Sequence, residues 1–243
     1  MPAYVLSIAE DKAGDLWFGT ALGELRHFHA GKFETILPGD SLTDESTLKA
    51  AAVANPFGSR SRGALSGGER FWSLHFDDDN VLWIGTLGGG LLRFKDGKFA
   101  RFTTRDDLPS DYVSQILEDN RGQLWIGTSV GIVRVSKREL NELADGGKTE
   151  PAFVTYGKFD GLPALECSGG TQPNCWRARD GRLWFTTIKG AVWVDPEQLR
   201  LNRLPPQVHI EEFLVDGKSQ GQKNAAMAKP VSKLAEKIKI PWE

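Results

Sequence analysis

The chain has 243 residues, 40% of them hydrophobic, and a formal net charge of −2. A near-neutral balance gives no general attraction to nucleic acid or to an anionic membrane surface, and no apolar run approaches the roughly 20 residues of a spanning helix. The first residues, Met1-Pro2-Ala3-Tyr4-Val5, carry neither a basic nor an apolar stretch, so no signal peptide is read there. With 8 Trp, 13 Phe and 27 Gly, the composition suits many short strands joined by tight turns.

In chain order, four segments repeat one pattern: an apolar strand, an acidic turn, then Leu-Trp. They are residues 5–20, 72–86, 113–128 and 175–187, with tryptophans Trp17, Trp83, Trp125 and Trp184. Gly14, Asn80, Gly122 and Gly181 each precede their Trp by three, at turn positions that need a positive φ. Gly23, Gly89, Gly131 and Gly190 each follow by six and open a third, alternating strand. Gly31-Lys32-Phe33 and Gly97-Lys98-Phe99 open a fourth.

The Trp-to-Trp spacings are 66, 42 and 59 residues. The shortest is the period of a four-stranded propeller blade, and the longer two are that period plus insertions. A blade cannot stand alone, because both of its faces are apolar. Stacking blades buries those faces, and the repeated Trp is expected to fill the space between them. The predicted fold is all-β: a partial propeller of about four four-stranded blades over residues 1–204.

The first insertion, residues 39–70, reads as a long surface loop. Its Leu65-Ser66-Gly67-Gly68-Glu69 resembles an ATPase signature, but no phosphate loop accompanies it anywhere in the chain. The second insertion opens at Ser136, with Glu139 three residues on, and predicts a capped helix. Asp195-Pro196-Glu197-Gln198-Leu199 predicts a counterpart helix in the fourth unit. Past Leu204 the texture changes. Val208, Ile210, Phe213 and Val215 read as the first strand of another β domain, 205–243, which looks cut short.

Two features suggest chemistry and do not complete it. Asp77-Asp78-Asp79-Asn80 lacks the later ligands of a calcium loop and reads as a solvated turn. His27 and His29 share one face of a strand, but no third metal ligand lies within sequence reach. No metal, cofactor or catalytic residue is therefore assigned. Cys167 and Cys175 lie eight apart, either as a small bridged loop or as two ordinary thiols. Propeller ligands bind where loops converge on the axial funnel. By topology the candidates are Phe71, Trp72, Asp111, Tyr112, Asn174, Trp176 and Lys189, whose aromatic and amide groups suit a sugar or another polar small molecule.

The run Glu118-Asp119-Asn120-Arg121-Gly122-Gln123-Leu124-Trp125-Ile126-Gly127-Thr128 resembles the two-component regulator propeller repeat. Asp107-Leu108-Pro109-Ser110 and Asp160-Gly161-Leu162-Pro163 resemble the link into the inner strand of each such blade. Residues 205–218 are similar to the start of the Ig-like, triple-tyrosine domain that follows these propellers. The resemblance implies a bacterial extracytoplasmic (periplasmic) sensor region that binds a small-molecule or oligosaccharide ligand and passes the signal to a downstream domain such as a histidine kinase. The family typically builds seven blades, whereas four are read here, and Phe185-Thr186-Thr187 departs from the repeat's Gly-Thr ending. Two other readings compete: a propeller lyase or hydrolase acting on polysaccharide, and a non-catalytic interaction scaffold. An open four-blade array is also expected to self-associate.

Overall fold

The computed structural model describes residues 4–38, 70–170 and 172–199, together with two short strands beyond them. The long insertion, apart from its last residue, and most of the expected Ig-like segment lie outside the described residues. The chain divides into two units at Gln198/Leu199. In the second unit the described part is one antiparallel pair, Leu214–Val215 with Lys218–Ser219.

The first unit is a series of antiparallel meanders. Blade 1 comprises β1 (Val5–Glu10), β2 (Leu16–Thr20), β3 (Leu25–His29) and β4 (Lys32–Ile36). Blade 2 comprises β5 (Phe71–Phe76), β6 (Leu82–Thr86), β7 (Leu91–Lys95) and β8 (Lys98–Phe102). Blade 3 comprises β9 (Val113–Glu118), β10 (Gln123–Thr128), β11 (Ile132–Ser136) and β12 (Val154–Tyr156), with helix α1 (Lys137–Ala144) inserted before its last strand. Blade 4 has three strands among the described residues: β13 (Cys175–Arg177), β14 (Leu183–Thr187) and β15 (Gly190–Val194). No helix among the described residues is long and apolar enough to cross a membrane.

The period of two along each strand builds the cores. Leu74, Leu82, Ile84, Leu92 and Phe99 of blade 2 pack against Trp17 and Leu25 of blade 1. Val81, Trp83, Leu91 and Phe102, on the opposite face, pack against Val113, Ile116, Leu124, Ile126 and Val133 of blade 3. Trp17 also lies edge-on to Phe76, with ring centroids 5.9 Å apart. The repeated Trp of blades 1 and 2 thus faces the following blade, as expected. In blade 4, Leu183 and Phe185 are buried, while Trp176 and Trp193 are exposed on the other face with Trp184 between them.

The turns follow the repeat. Gly14, Asn80, Gly122 and Gly181 all adopt positive φ, between 60° and 88°. The links into blades 3 and 4 are alike. Each is a 3-10 turn (Thr104–Asp106, Lys158–Asp160) ended by a left-handed residue, Asp107 or Gly161. Helix α1 forms where Ser136 was expected to cap it, and the Ser136 side chain accepts from Glu139 N. Glu139 does not complete the reciprocal half of a capping box; its carboxylate accepts from Ala152 N instead, pinning the return of the insertion. The counterpart helix after β15 does not form among the described residues. Asp195 accepts from Glu197 N and Gln198 N, which closes a single capped turn.

Candidate functional site

The propeller rim is made by the loop after each Trp-x-x-Thr and by the links into the inner strands. The Thr organises that loop. Thr86 Oγ1 donates to Gly90 O at 2.8 Å and accepts from Gly89 N, and Thr128 and Thr187 donate to Gly131 O and Gly190 O in the same way. The loop then grips the links on either side. Leu87 N donates to Arg70 O, which leads into blade 2, and Gly88 N donates to Asp111 O, which leads into blade 3. Ile188 N donates to Glu166 O and Ser168 N to Thr186 O at the blade 4 end. Loops and links therefore share one face of the blades, as the topology predicted.

The candidate residues fall on this rim with different exposures. Phe71 is fully buried and belongs to the core between blades 1 and 2. Asp111 is committed to the link, since its carboxylate accepts from Thr104 N at 2.7 Å and Thr104 Oγ1 at 3.1 Å. Asn174 is buried, its amide donating to Ser114 O and Ser168 O. Trp72 is half-buried beneath Gly169: a Cβ there would lie 2.5 Å from its ring, so only glycine admits this approach. The structure thus brings Trp72 against Gly169, next to Ser168, whose carbonyl accepts from Asn174. Tyr112 is exposed at the entry of β9 and Lys189 in the β14–β15 turn, whereas Trp176 is exposed within β13, on the open face it shares with Trp184 and Trp193. An open apolar pocket of about 210 Å³ is lined by Pro173, Asn174, Cys175, Trp176, Trp184 and Phe185, among others.

Cys167 and Cys175 are free, and the bridge considered between them is not formed. Each points instead at a backbone carbonyl of blade 3. Cys175 Sγ approaches Ile116 O and Cys167 Sγ approaches Gly131 O. Burial pushes both thiols up to about 11.

Sequence reasoning missed the acidic residue six before the Trp. In blade 2, Asp77 Oδ1 accepts from Asp79 N and Val81 N, and Oδ2 accepts from the Trp83 indole at 2.9 Å. Asp119 repeats this with Arg121 N, Gln123 N and Trp125. Asp11 does so with Ala13 N, Asp15 N and Trp17. The first residue of the run expected to be a solvated turn is therefore buried; only Asp78, Asp79 and Asn80 face water. Burial alone would raise the Asp11 carboxyl, but the Trp17 indole and two backbone N–H groups hold it below its usual value.

A charge cluster spans blades 2 and 3. Lys137 Nζ lies 2.7 Å from Glu118, 3.2 Å from Asp79 and 3.7 Å from Asp77. Burial would lower the ammonium, but its hydrogen bonds to Glu118 and Asp79 and the charge of Asp77 carry it up to about 12. Burial likewise opposes ionisation of Glu118, and its contacts with His75 and Lys137 hold its carboxyl below the usual value. On blade 1, His27 and His29 have a third polar neighbour in Asp15.

Residues 1–21 and 107–130 match the family model "Two component regulator propeller". No curated protein matches the sequence. Among solved structures, the extracellular domain of a protein described as a hybrid two component system of B. thetaiotaomicron is 21% identical with a TM-score of 0.55, over 82% of this chain and 24% of that one. A second such extracellular domain from B. thetaiotaomicron is also 21% identical with a TM-score of 0.55, over 80% of this chain and 24% of its own. Virginiamycin B lyase from Staphylococcus aureus is 15% identical with a TM-score of 0.48, over 79% of this chain and 56% of that one. The chain thus spans about a quarter of the two extracellular domains. It is a series of β-propeller blades, two segments of which match the two-component regulator propeller model.

Proposed function

We propose that this chain is the ligand-sensing propeller region of a two-component regulator, working outside the cytoplasmic membrane. It binds a small molecule or oligosaccharide on the rim and passes the event to a downstream signalling domain as a movement, without bond-breaking chemistry. The observation that carries this reading is the rim itself. Trp72 and Tyr112 stand where the links enter β5 and β9, Tyr112 exposed at 49%, and Trp176, exposed at 66%, lines the apolar pocket on the open face of β13. Aromatic faces beside backbone amides and Lys189 suit the apolar faces and hydroxyl groups of a sugar. The two matched repeat segments and the likeness to extracellular domains support the placement.

The test is calorimetric titration of the full chain with a panel of neutral and acidic oligosaccharides. Saturable binding to one class, weakened about tenfold or more by Tyr112→Ala or Trp176→Ala, is expected, since losing a stacked aromatic costs on the order of 1.4 kcal/mol or more. Binding that neither substitution alters, or none across the panel, would refute the site. Release of cleaved sugar from any member would favour the lyase or hydrolase reading.

A further inference from the structure

We propose that Asp15, His27 and His29 form a site for one divalent transition-metal ion of the zinc class. The strand register brings them together. Trp17 pairs with His27 across β2 and β3, so Asp15, two residues earlier, comes opposite His29. His29 Nδ1 lies 2.7 and 2.6 Å from the two carboxylate oxygens of Asp15, and His27 Nε2 lies 3.3 Å from the nearer one. One donor atom from each residue falls within 4.8 Å of the other two. Donors around a tetrahedral zinc stand about 3.3–3.5 Å apart, given metal–ligand lengths of about 2.0–2.2 Å. Small rotamer adjustments of Asp15 and His29 therefore suffice to seat an ion.

The site is partly preorganised. The His27 ring stacks on Trp17, with centroids 4.0 Å apart and planes at 17°. Trp17 is itself tied to Asp11 by its indole N–H at 2.9 Å. The side chains of His27 and Asp15 are 18% and 19% exposed, whereas His29 is 65% exposed. Two ligands are thus held by packing, and the third stands at an open side where water can take the fourth position. Two imidazoles and one carboxylate select zinc, cobalt, nickel or copper over magnesium and calcium, which prefer all-oxygen shells. The competing explanation is a plain pair of His–Asp hydrogen bonds. It accounts for the contacts with His29 but makes no provision for a metal.

The experiment titrates the chelator-treated full chain with Co²⁺ and reads the visible ligand-field bands. The expected result is a band that saturates at one ion per chain, is displaced by Zn²⁺ and is indifferent to excess Mg²⁺ or Ca²⁺. Asp15→Asn and His29→Ala should each weaken Co²⁺ binding about tenfold or more, a loss no smaller than that of disturbing a ligand's supporting shell. Because His29 is exposed, the metal-free His29→Ala chain should melt with its parent, which separates loss of a ligand from loss of the fold. Absence of a saturable band, or a band unchanged in the Asp15→Asn, His29→Ala double variant, would overturn the site.

Discussion

The Trp83 indole N–H donates to Asp77 Oδ2 at 2.9 Å, with both side chains buried between blades 2 and 3. The same carboxylate closes the β5–β6 turn through two backbone N–H groups, so one residue fixes both a hairpin and the orientation of a core aromatic. Asp119–Trp125 and Asp11–Trp17 repeat it, whereas blade 4 has Ala178 at the equivalent place and its Trp184 is incompletely buried.

Asp77→Ala leaves the indole and the turn N–H groups without an acceptor, and it removes a partner of Lys137. A loss of about 2–4 kcal/mol is expected in urea unfolding. Asp119→Ala should cost a similar amount and Asp11→Ala less, because its carboxylate is nearer water, which replaces part of what is lost. Equal effects at all three positions would argue against burial as the cause.

The glycine of Trp-x-Gly-Thr has a contact reason. A Cβ at Gly85 would lie 2.7 Å from Val113 O, and one at Gly19 would lie 2.9 Å from Phe71 Cβ, on the inner strand of the following blade. Gly85→Ala should therefore cost about 1–3 kcal/mol through displacement of β9. Blade 4 carries Thr186 at this place. Its hydroxyl donates to Asn174 O and accepts from Gln115, and no following blade stands against it among the described residues. Thermal melts of Gly85→Ala and Thr186→Gly should separate the two, with overpacking in the first and mainly lost hydrogen bonds in the second.

These contrasts mark what the sequence made legible. Periodicity, turn residues and the spacing of Trp17, Trp83 and Trp125 were enough for the blades, because those signals are local. The helix at Ser136 was legible for the same reason. Phe71 and Asn174 were legible as rim positions, but their burial depends on which blade packs over them, and that is a long-range matter. The role of Asp77 was hidden because an acidic turn residue looks the same whether it faces water or an indole. Asp15 was recoverable in principle by extending the Trp17–His27 register by two residues, which a search for neighbouring ligands along the chain does not do.

The charge cluster gives stability a pH dependence with a definite sign. The Glu118 carboxyl is held below its ordinary 4.5 in the folded chain. Its contribution is therefore complete above that value and is lost as pH falls through the lower, folded value. Lys137, raised from 10.5 to about 12, contributes fully below 10.5 and loses its contribution as pH rises through about 12. Lys137→Met leaves Glu118 and Asp77 buried without their cation and should cost about 3–5 kcal/mol at neutral pH. It should also shrink the acid loss, since Glu118 then lacks its main charge partner. Urea midpoints of parent and variant across the acid range check both statements.

The two thiols provide a readout of blade 4. With both raised to about 11, little thiolate exists near neutrality, and Cys167 is also buried. Ellman's reagent should react slowly with the native chain and release two equivalents promptly in denaturant. One fast equivalent in the native chain would show that β13 leaves blade 3 readily, because Cys175 is held against Ile116 O there. No reactive thiol in denaturant under non-reducing conditions would restore the bridged loop.

The outer faces of the end blades bear on self-association. Blade 1 presents Ile8 and Phe33, exposed at 50% and 66%, with Phe18 and Phe28 beside them. Blade 4 presents Trp176 and Trp193 at 66% and 51%. Internally, a Trp-bearing face is covered by an aliphatic and phenyl face of the next blade, as Trp17 is by Leu74, Phe76 and Phe94. The blade 4 face of one copy and the blade 1 face of another offer the same pairing, and area of this kind left in water favours association. Light scattering of the chain is therefore expected to give a mass that rises with concentration, and Trp176→Ser with Trp193→Ser should bring it back toward the monomer. A monomeric mass at every concentration would show that these faces are tolerated in water, and a rise that the double substitution leaves unchanged would place the contact elsewhere.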